Sequence, residues 1–251
     1  MNPAEFRADN PYGSFGDLAI AAPADARQTF IRKTYTHLAA AIYAFVALEF
    51  ALFHTGFPDW MLEQLGTSRF SWLIVMGAFV AVSWIADSWA RSSTSLGKQY
   101  AGLFLYVVGE AIIFVPMLAL AKTMTMHVQG MGDVPILPAA GLTTLIMFGG
   151  LTAFVFVSKR DFSFMGGFLG MCGLGAFALI LVSILFGFNL GVWFSVLMVV
   201  MACGYILYHT SAIMHQYRTD QYVAASLALF ASVALLFWYI LRIFMSLSDR
   251  R

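Results

Sequence analysis

Seven long runs of apolar residues, separated by short polar stretches, follow one another along the chain after residue 33. Each run holds about 20 residues, the length that an α-helix needs to cross roughly 30 Å of hydrocarbon. We therefore predict an all-α membrane protein with seven transmembrane helices. The predicted spans are Thr34–Phe53, Phe70–Trp89, Tyr100–Ala121, Ile136–Val157, Phe164–Phe186 and two that divide Leu190–Leu247 at a polar turn, Gln216–Gln221.

Small residues recur at every fourth position in the last predicted span, at Ala224, Ala228 and Ser232. This spacing places them on one helical face, where small side chains let neighbouring backbones approach closely. We interpret the seventh helix as the one around which the other six pack. Gly166 and Gly170 repeat the spacing in the fifth span and predict another close helix contact there.

Residues 1–33 show no sustained hydrophobic period and contain Pro3, Pro11 and Pro23. We predict a flexible cytoplasmic tail over these residues, followed by a transmembrane domain over residues 34–247. The tail has no apolar stretch near its start, so the sequence does not predict a cleavable signal peptide.

The distribution of Lys and Arg predicts which way the chain crosses the membrane. With the N-terminus in the cytoplasm, nine of the 14 basic residues lie inside and five lie outside. The inside group is Arg7, Arg27, Arg32, Lys33, Arg91, Lys98, Lys159, Arg160 and Arg218, and the outside group is Arg69, Lys122, Arg242, Arg250 and Arg251. Because cytoplasmic loops carry the excess of basic residues, we predict a cytoplasmic N-terminus and an external C-terminus.

Hydrophobic residues make up 61% of the chain and charged residues 11%. Soluble domains have about 45–50% and about 25% of these classes, so the lipid bilayer is the expected partner. The net charge of +1 gives no support to nucleic-acid binding. Cys172 and Cys203 lie inside predicted spans, where we expect small buried side chains and neither a disulfide nor a zinc site. No cofactor is predicted.

Five polar residues inside or at the edge of the predicted spans are candidates for a response to protons or ions: Glu49, Asp87, Glu110, His209 and Ser232. A charge in mid-bilayer costs about 2.5–3.5 kcal/mol on insertion scales, so each such residue requires an explanation. Glu110, near the middle of its span, is expected either to line a proton or cation site or to be a protonated carboxyl bonded to a neighbouring helix. Glu49 lies in the outer half of the first span, and no partner can be assigned to it.

Asp87 and His209 are both predicted near the cytoplasmic edge. Asp87 is expected either to reach water or to pair with His209, and such a pair would respond to pH near neutrality. A Ser-His hydrolase built from His209 and Ser232 lacks a visible third residue and an oxyanion motif. A metal pair is also not predicted, since His209 and His215 are six residues apart and point to different helix faces. We therefore predict no catalytic residue and no metal ligand.

Several segments carry a resemblance to a known family. The most specific is Lys159-Arg160-Asp161-Phe162-Ser163, followed by Phe164-Met165-Gly166-Gly167; the others are Phe30–Tyr35, Leu207-Tyr208-His209-Thr210-Ser211 and Tyr222-Val223-Ala224-Ala225. Together they resemble the Bax inhibitor-1 family of seven-helix membrane proteins, over roughly residues 30–244. The Gly130-Met131-Gly132-Asp133 loop and Thr210-Ser211 with His215 are most similar to its bacterial YccA branch.

The resemblance implies six helices around a central seventh, and one of two roles. Some members are pH-sensitive calcium leaks gated by paired aspartates in spans six and seven, whereas the YccA branch is associated with modulating a membrane-anchored ATP-dependent protease. His209 and Ser232 occupy the two aspartate positions here. We therefore expect a non-enzymatic regulator of membrane-protein quality control in the bacterial inner membrane. The alternative is a pH-sensitive cation leak with a modified gate that uses Glu110, Asp87 and His209.

Overall fold

A computed structural model describes residues 18–92, 95–128 and 132–248. The first 17 residues of the predicted tail, and the Gly130-Met131 part of the predicted loop, lie outside the described residues. The elements are α1 (Ala24–Phe53), α2 (Phe57–Thr67), α3 (Arg69–Ala90), α4 (Leu96–Ala121), β1 (Thr125–Val128), β2 (Gly132–Pro135), α5 (Ile136–Ser158), α6 (Met165–Phe186), α7 (Gly191–His215) and α8 (Tyr222–Ser248).

Seven of the helices described are long and apolar enough to cross a membrane, which confirms the predicted all-α membrane fold. The first begins at Ala24, ten residues before the predicted start, because Pro23 precedes it and no further proline interrupts it. Phe30, in this extension, is buried against the bundle. The predicted limit of the tail at residue 33 therefore falls inside a helix.

Two short elements occupy segments that were predicted as loops. The helix α2 begins with Phe57 and Pro58 and buries Met61 and Leu65. The strands β1 and β2 form an antiparallel hairpin in which Thr125 pairs with Pro135. Both elements are too short for a hydropathy run to reveal them, and they close one end of the bundle.

The helix α8 lies at the centre, as predicted. Within its most apolar window 78% of the residues are buried, against 6% for α3. It packs against α1, α3, α4, α5 and α7, whereas α6 packs mainly against α7 and α3, so the prediction that all six other helices pack around α8 is wrong for α6. Ala224 and Ala228 are both buried in it, on the face that the four-residue spacing identified. The small side chains let the surrounding helices approach this central one.

The glycine spacing in α6 is only partly what the sequence predicted. A Cβ added at Gly166 would lie 2.8 Å from the Tyr208 ring, and one at Gly173 would lie 2.6 Å from the Tyr205 hydroxyl. A Cβ at Gly170 would meet nothing within 4 Å. The prediction for Gly170 as a packing residue is therefore wrong, because the contacts of α6 with α7 repeat after seven residues rather than four.

The two ends of the bundle differ in the elements that they carry. At one end, which we call the proximal end, His37 Nε2 lies 3.0 Å from the Tyr100 hydroxyl, and the Lys33 ammonium lies 5.0 Å from the Tyr222 ring centre. Leu18 forms a β-bridge with Arg218 there. At the opposite, distal end lie α2, the hairpin and the link between α6 and α7. The proximal end holds the basic loops that were predicted to be cytoplasmic.

Candidate functional site

A cavity of about 1390 Å³ enters the bundle from the distal end. It lies among α2, α3, α4, α6, α7 and α8, with Gly191 and Arg242 near its mouth. Its inner part reaches Glu110, Ser232 and His209. Three of the five polar residues singled out from the sequence therefore face one space, although they belong to three different helices. We call this space the distal cavity.

Glu110 is 6% exposed and lies midway along α4. Its side chain forms a hydrogen bond with Tyr106, which precedes it by one turn on the same helix. One of the two interpretations of the sequence expected a neighbouring helix to supply this partner. Because Glu110 also lines the distal cavity, its carboxyl group can meet a proton or a cation that enters from the distal end.

Ser232 is 4% exposed, and its hydroxyl donates a hydrogen bond to the Ala228 carbonyl at 2.9 Å. The hydroxyl donor is thus used within α8, while Ser232 also lines the distal cavity. The His209 Nδ1 atom is buried and has no hydrogen-bond partner among the described residues. Ser232 therefore donates no proton to this atom, and the arrangement lacks the hydrogen bond that a Ser-His nucleophile requires.

His209 separates the distal cavity from a second, smaller cavity of about 230 Å³ at the proximal end. Among the described residues, it is the one that lines both of these spaces. Its ring lies 6.0 Å from Tyr205 in a stacked arrangement and 4.9 Å from Tyr208 edge-on. The imidazole and these two phenol rings therefore form the partition between the cavities.

The proximal cavity is lined by Arg91, Tyr208, His209, Ala212, Gln216, Tyr217 and Gln221. Arg91 Nε donates to both carboxylate oxygens of Asp87, at 2.9 and 2.8 Å. Asp87 thus forms its ion pair with Arg91. One interpretation of the sequence had expected Asp87 to pair with His209 instead. The Asp87 carboxylate raises the pKa of the Arg91 guanidinium, which also hydrogen-bonds to Tyr217. Burial raises the pKa of the Tyr217 hydroxyl.

Glu49 stands apart from this arrangement. It is 7% exposed, and neither of its carboxyl oxygens has a hydrogen-bond partner in the part of the chain that the structure describes. It lines neither of the two cavities. The structure therefore gives it no connection to His209 or Glu110, and its response to protons or ions stays a prediction.

Sequence reasoning missed Arg91, Tyr106 and Tyr217 as members of the site. A signal was present for the first two, since Arg91 follows Asp87 by four residues and Tyr106 precedes Glu110 by four. On a helix that spacing brings the side chains together. Tyr217 had no such signal, because it lies in the turn between α7 and α8 and reaches Arg91 only through the packing of that turn on α3.

The profile of the family described as "Inhibitor of apoptosis-promoting Bax1" matches residues 27–249. The chain belongs to the Bax inhibitor-1 family. It is 29% identical over 224 residues to Bax inhibitor 1 of Schizosaccharomyces pombe, covering 86% of this chain and 76% of the yeast protein. It is 26% identical over 238 residues to Protein lifeguard 4 of Mus musculus, covering 91% and 90% of the two chains.

A bacterial protein is also similar to this chain. An uncharacterised protein of Pseudomonas aeruginosa is 28% identical over 207 residues, covering 80% of this chain and 86% of that protein. The names of the yeast and mouse relatives describe no enzyme activity. Membership of the Bax inhibitor-1 family thus agrees with the seven-helix fold and with the resemblance drawn from the Lys159–Gly167 segment.

Proposed function

We propose that this Bax inhibitor-1 protein is a proton-sensitive cation leak whose barrier is the His209 side chain. One observation carries the proposal: cavities from opposite ends of the bundle share His209. A barrier made of the His209 ring and the adjacent Tyr205 and Tyr208 rings can open through side-chain rotation, without a rearrangement of the packed α8 core. This arrangement favours the leak over a purely structural regulator, because a purely structural role does not require cavities that enter from both ends.

Glu110 is the group that would stabilise a cation within the membrane. An ion in the bilayer interior is costly unless protein groups replace its water, and a carboxylate is the strongest such group. Glu110 lies on the distal side of His209, where the larger cavity gives access to it. Ser232 adds a hydroxyl oxygen in the same space. Ser232 occupies one of the two positions at which the family resemblance implies an aspartate. Glu110 and Ser232 together supply oxygen ligands in this space.

The charges around His209 give the sign of the pH response. The groups that face it are Arg91 and Asp87 from α3, Tyr205 and Tyr208 from α7, Tyr217 from the turn, and Glu110 and Ser232 across the distal cavity. Protonation of His209 would place a second cation near Arg91. This imidazolium would compete with Arg91 for the Asp87 carboxylate. We expect this to displace the imidazole, so that the leak increases as the pH falls.

Ion flux in liposomes tests the proposal. The purified protein is reconstituted, and calcium and potassium flux are measured between about pH 4 and pH 8, a range that includes the ordinary histidine pKa of about 6.5 and extends well below it. We expect greater flux at the lower pH, a lower flux in Glu110→Gln, and a loss of the pH dependence in His209→Ala. His54→Ala is the matched control, because His54 is exposed at the distal end and bonded only locally to Phe50.

The leak proposal fails if the wild-type protein conducts neither ion above empty liposomes at any pH. It also fails if flux is the same in Glu110→Gln, His209→Ala and the wild type. A pH dependence that survives in His209→Ala would leave the leak in place and remove His209 as its sensor.

A second candidate is the modulation of a membrane-anchored ATP-dependent protease, as in the YccA branch. The observation that favours it is the extension of α1, which begins ten residues before the apolar span at the proximal end and is held by buried Phe30. If the N-terminus is cytoplasmic in a bacterial inner membrane, this extension presents an ordered surface near the membrane. Affinity purification from membranes, with the full chain and with residues 1–23 removed, tests this candidate. Failure of both forms to retain any membrane protease would reject it.

A further inference from the structure

The section of the distal cavity between its mouth and Glu110 has an apolar lining that a path for ions does not require. Its walls include Trp72, Phe177 and Trp238, whereas polar lining residues lie at the mouth, among them Asn189, Ser195 and Arg242, or at the inner end. Water is unstable in a space of this kind, because it finds too few hydrogen-bond partners there. An apolar occupant is therefore expected to fill it.

The dimensions of the cavity match one acyl chain. Arg242 follows Ser232 by ten residues on α8, which corresponds to about 15 Å at ~1.5 Å per residue. That length is half of the roughly 30 Å hydrocarbon core and so equals the depth of one leaflet. The volume of about 1390 Å³ is large enough to admit an acyl chain along this depth.

The positive charge at the mouth of the distal cavity favours an amphiphile with a negatively charged head group. Arg242 lines the cavity near the distal end, and no carboxylate forms an ion pair with it among residues 18–92, 95–128 and 132–248. A guanidinium binds a carboxylate through paired hydrogen bonds. The first turn of α7, which begins at Gly191 at the same mouth, adds the positive end of a helix dipole.

We propose that the distal cavity binds a long-chain fatty acid, with its carboxylate at Arg242 and its hydrocarbon chain directed inward to the level of Ser232. The chain would fill the apolar section and stop where Glu110 and Ser232 supply polar surface. Occupancy would also block the route between the distal mouth and Glu110. This regulatory consequence rests on the leak proposed above, whereas the binding itself does not.

A binding assay without ion flux tests the site. The purified protein, in nanodiscs of uncharged phosphatidylcholine, is titrated with radiolabelled palmitate, and competitors are added. We expect palmitate to displace the label, and its methyl ester to do so at least about tenfold more weakly because the ester has no charge for Arg242. This comparison of ligands uses the wild-type protein and does not depend on the folding of a variant.

Variants then locate the site. Arg242→Gln is expected to weaken palmitate binding about tenfold or more. Lys122→Gln is the matched control, because Lys122 is also a basic residue at the distal end but lies over the Phe53 ring and outside the cavity lining. Ala176→Phe, which narrows the cavity wall on α6, is expected to weaken binding of both the acid and the ester.

Equal displacement by palmitate and its methyl ester would overturn the proposal, as would equal binding by Arg242→Gln and the wild type. Displacement by phosphatidylglycerol at the same concentration as palmitate would show that an anionic bilayer lipid is the occupant, which also overturns the fatty acid assignment. Because no ion is measured, these outcomes leave the leak untouched. Conversely, a protein that binds palmitate but conducts no ion would retain the site and reject the leak.

Discussion

Arg91 and His209 line the same small cavity at the proximal end, and Arg91 is bound there by Asp87, one turn earlier on α3. His209 thus faces a cation whose charge is partly balanced by an acid. This relationship sets the electrostatic environment of the residue that divides the two cavities. It also replaces the direct contact between Asp87 and His209 that one interpretation of the sequence expected.

The first prediction concerns the two charges beside His209. Arg91→Gln removes a positive charge that disfavours a proton on His209, so we expect the pH midpoint of ion flux to rise by about one unit. Asp87→Asn removes the negative charge and leaves Arg91 unbalanced, so the midpoint is expected to fall. The measurement is calcium flux into liposomes as a function of pH. Shifts in the same direction for both variants would contradict this electrostatic account.

The second prediction concerns the hydrogen bond between Tyr106 and Glu110. Tyr106→Phe leaves the buried carboxyl without this partner, so we expect a loss of stability of about 0.5–1.5 kcal/mol, the usual net contribution of one hydrogen bond. Glu110→Gln keeps a hydrogen-bonding side chain and is expected to fold while losing flux. Thermal unfolding in detergent measures the first effect, and liposome flux measures the second. Unchanged stability in Tyr106→Phe would show that the carboxyl finds another partner.

The third prediction uses two glycines of α6 that are four residues apart. An added Cβ at Gly166 meets the Tyr208 ring at 2.8 Å, so Gly166→Ala is expected to destabilise the protein by about 1–3 kcal/mol. Gly170→Ala meets nothing within 4 Å and is expected to be neutral or stabilising by up to about 1 kcal/mol, since alanine favours the helix. The melting temperatures of both variants in one detergent test this. Equal losses would show that α6 packs through the four-residue spacing after all.

The fourth prediction concerns acid and the link between α5 and α6. Hydrogen bonds from the Ser163 side chain and backbone lower the pKa of Asp161. The Ser211 hydroxyl donates to the same carboxylate at 3.2 Å and accepts from the Phe162 amide at 2.8 Å. Asp161 thereby ties the link to α7.

Because the pKa of Asp161 is lower in the folded protein, its stabilisation is complete above the unfolded value of about 3.9. It is lost as the pH falls through the lower, folded value. We expect amide hydrogen exchange at Phe162 and Ser163 to accelerate across this window, after correction for the intrinsic rate. In Asp161→Asn the exchange should already be faster near neutral pH, whereas Asp59→Asn, on the exposed face of α2, should behave as the wild type. A wild-type profile that is flat through this window would refute the assignment.

The pairs that lie on one helix were within reach of the sequence. Asp87 with Arg91, and Tyr106 with Glu110, are each four residues apart, and the pitch of a helix alone brings them together. The burial of Ala224 and Ala228 was likewise predictable from their spacing. The Gly166 and Gly170 pair shows the limit of such patterns, since an equal spacing produced one tight contact and one open position.

The sequence by itself determined that the protein lies in a lipid bilayer, how many helices span it, and that α8 is central. These features follow from the length of each apolar run and from a stripe of small residues, which are local properties of the chain. Only the tertiary structure decided that Glu110, Ser232 and His209 face one cavity, and that His209, with Tyr205 and Tyr208, lies between it and the space beside Arg91. Lipid tails are as apolar as leucine, so the lipid-facing and inward-facing sides of a membrane helix differ little in composition. The rotation of each helix about its axis, which decides which side chains meet, is therefore fixed by packing between helices distant in sequence.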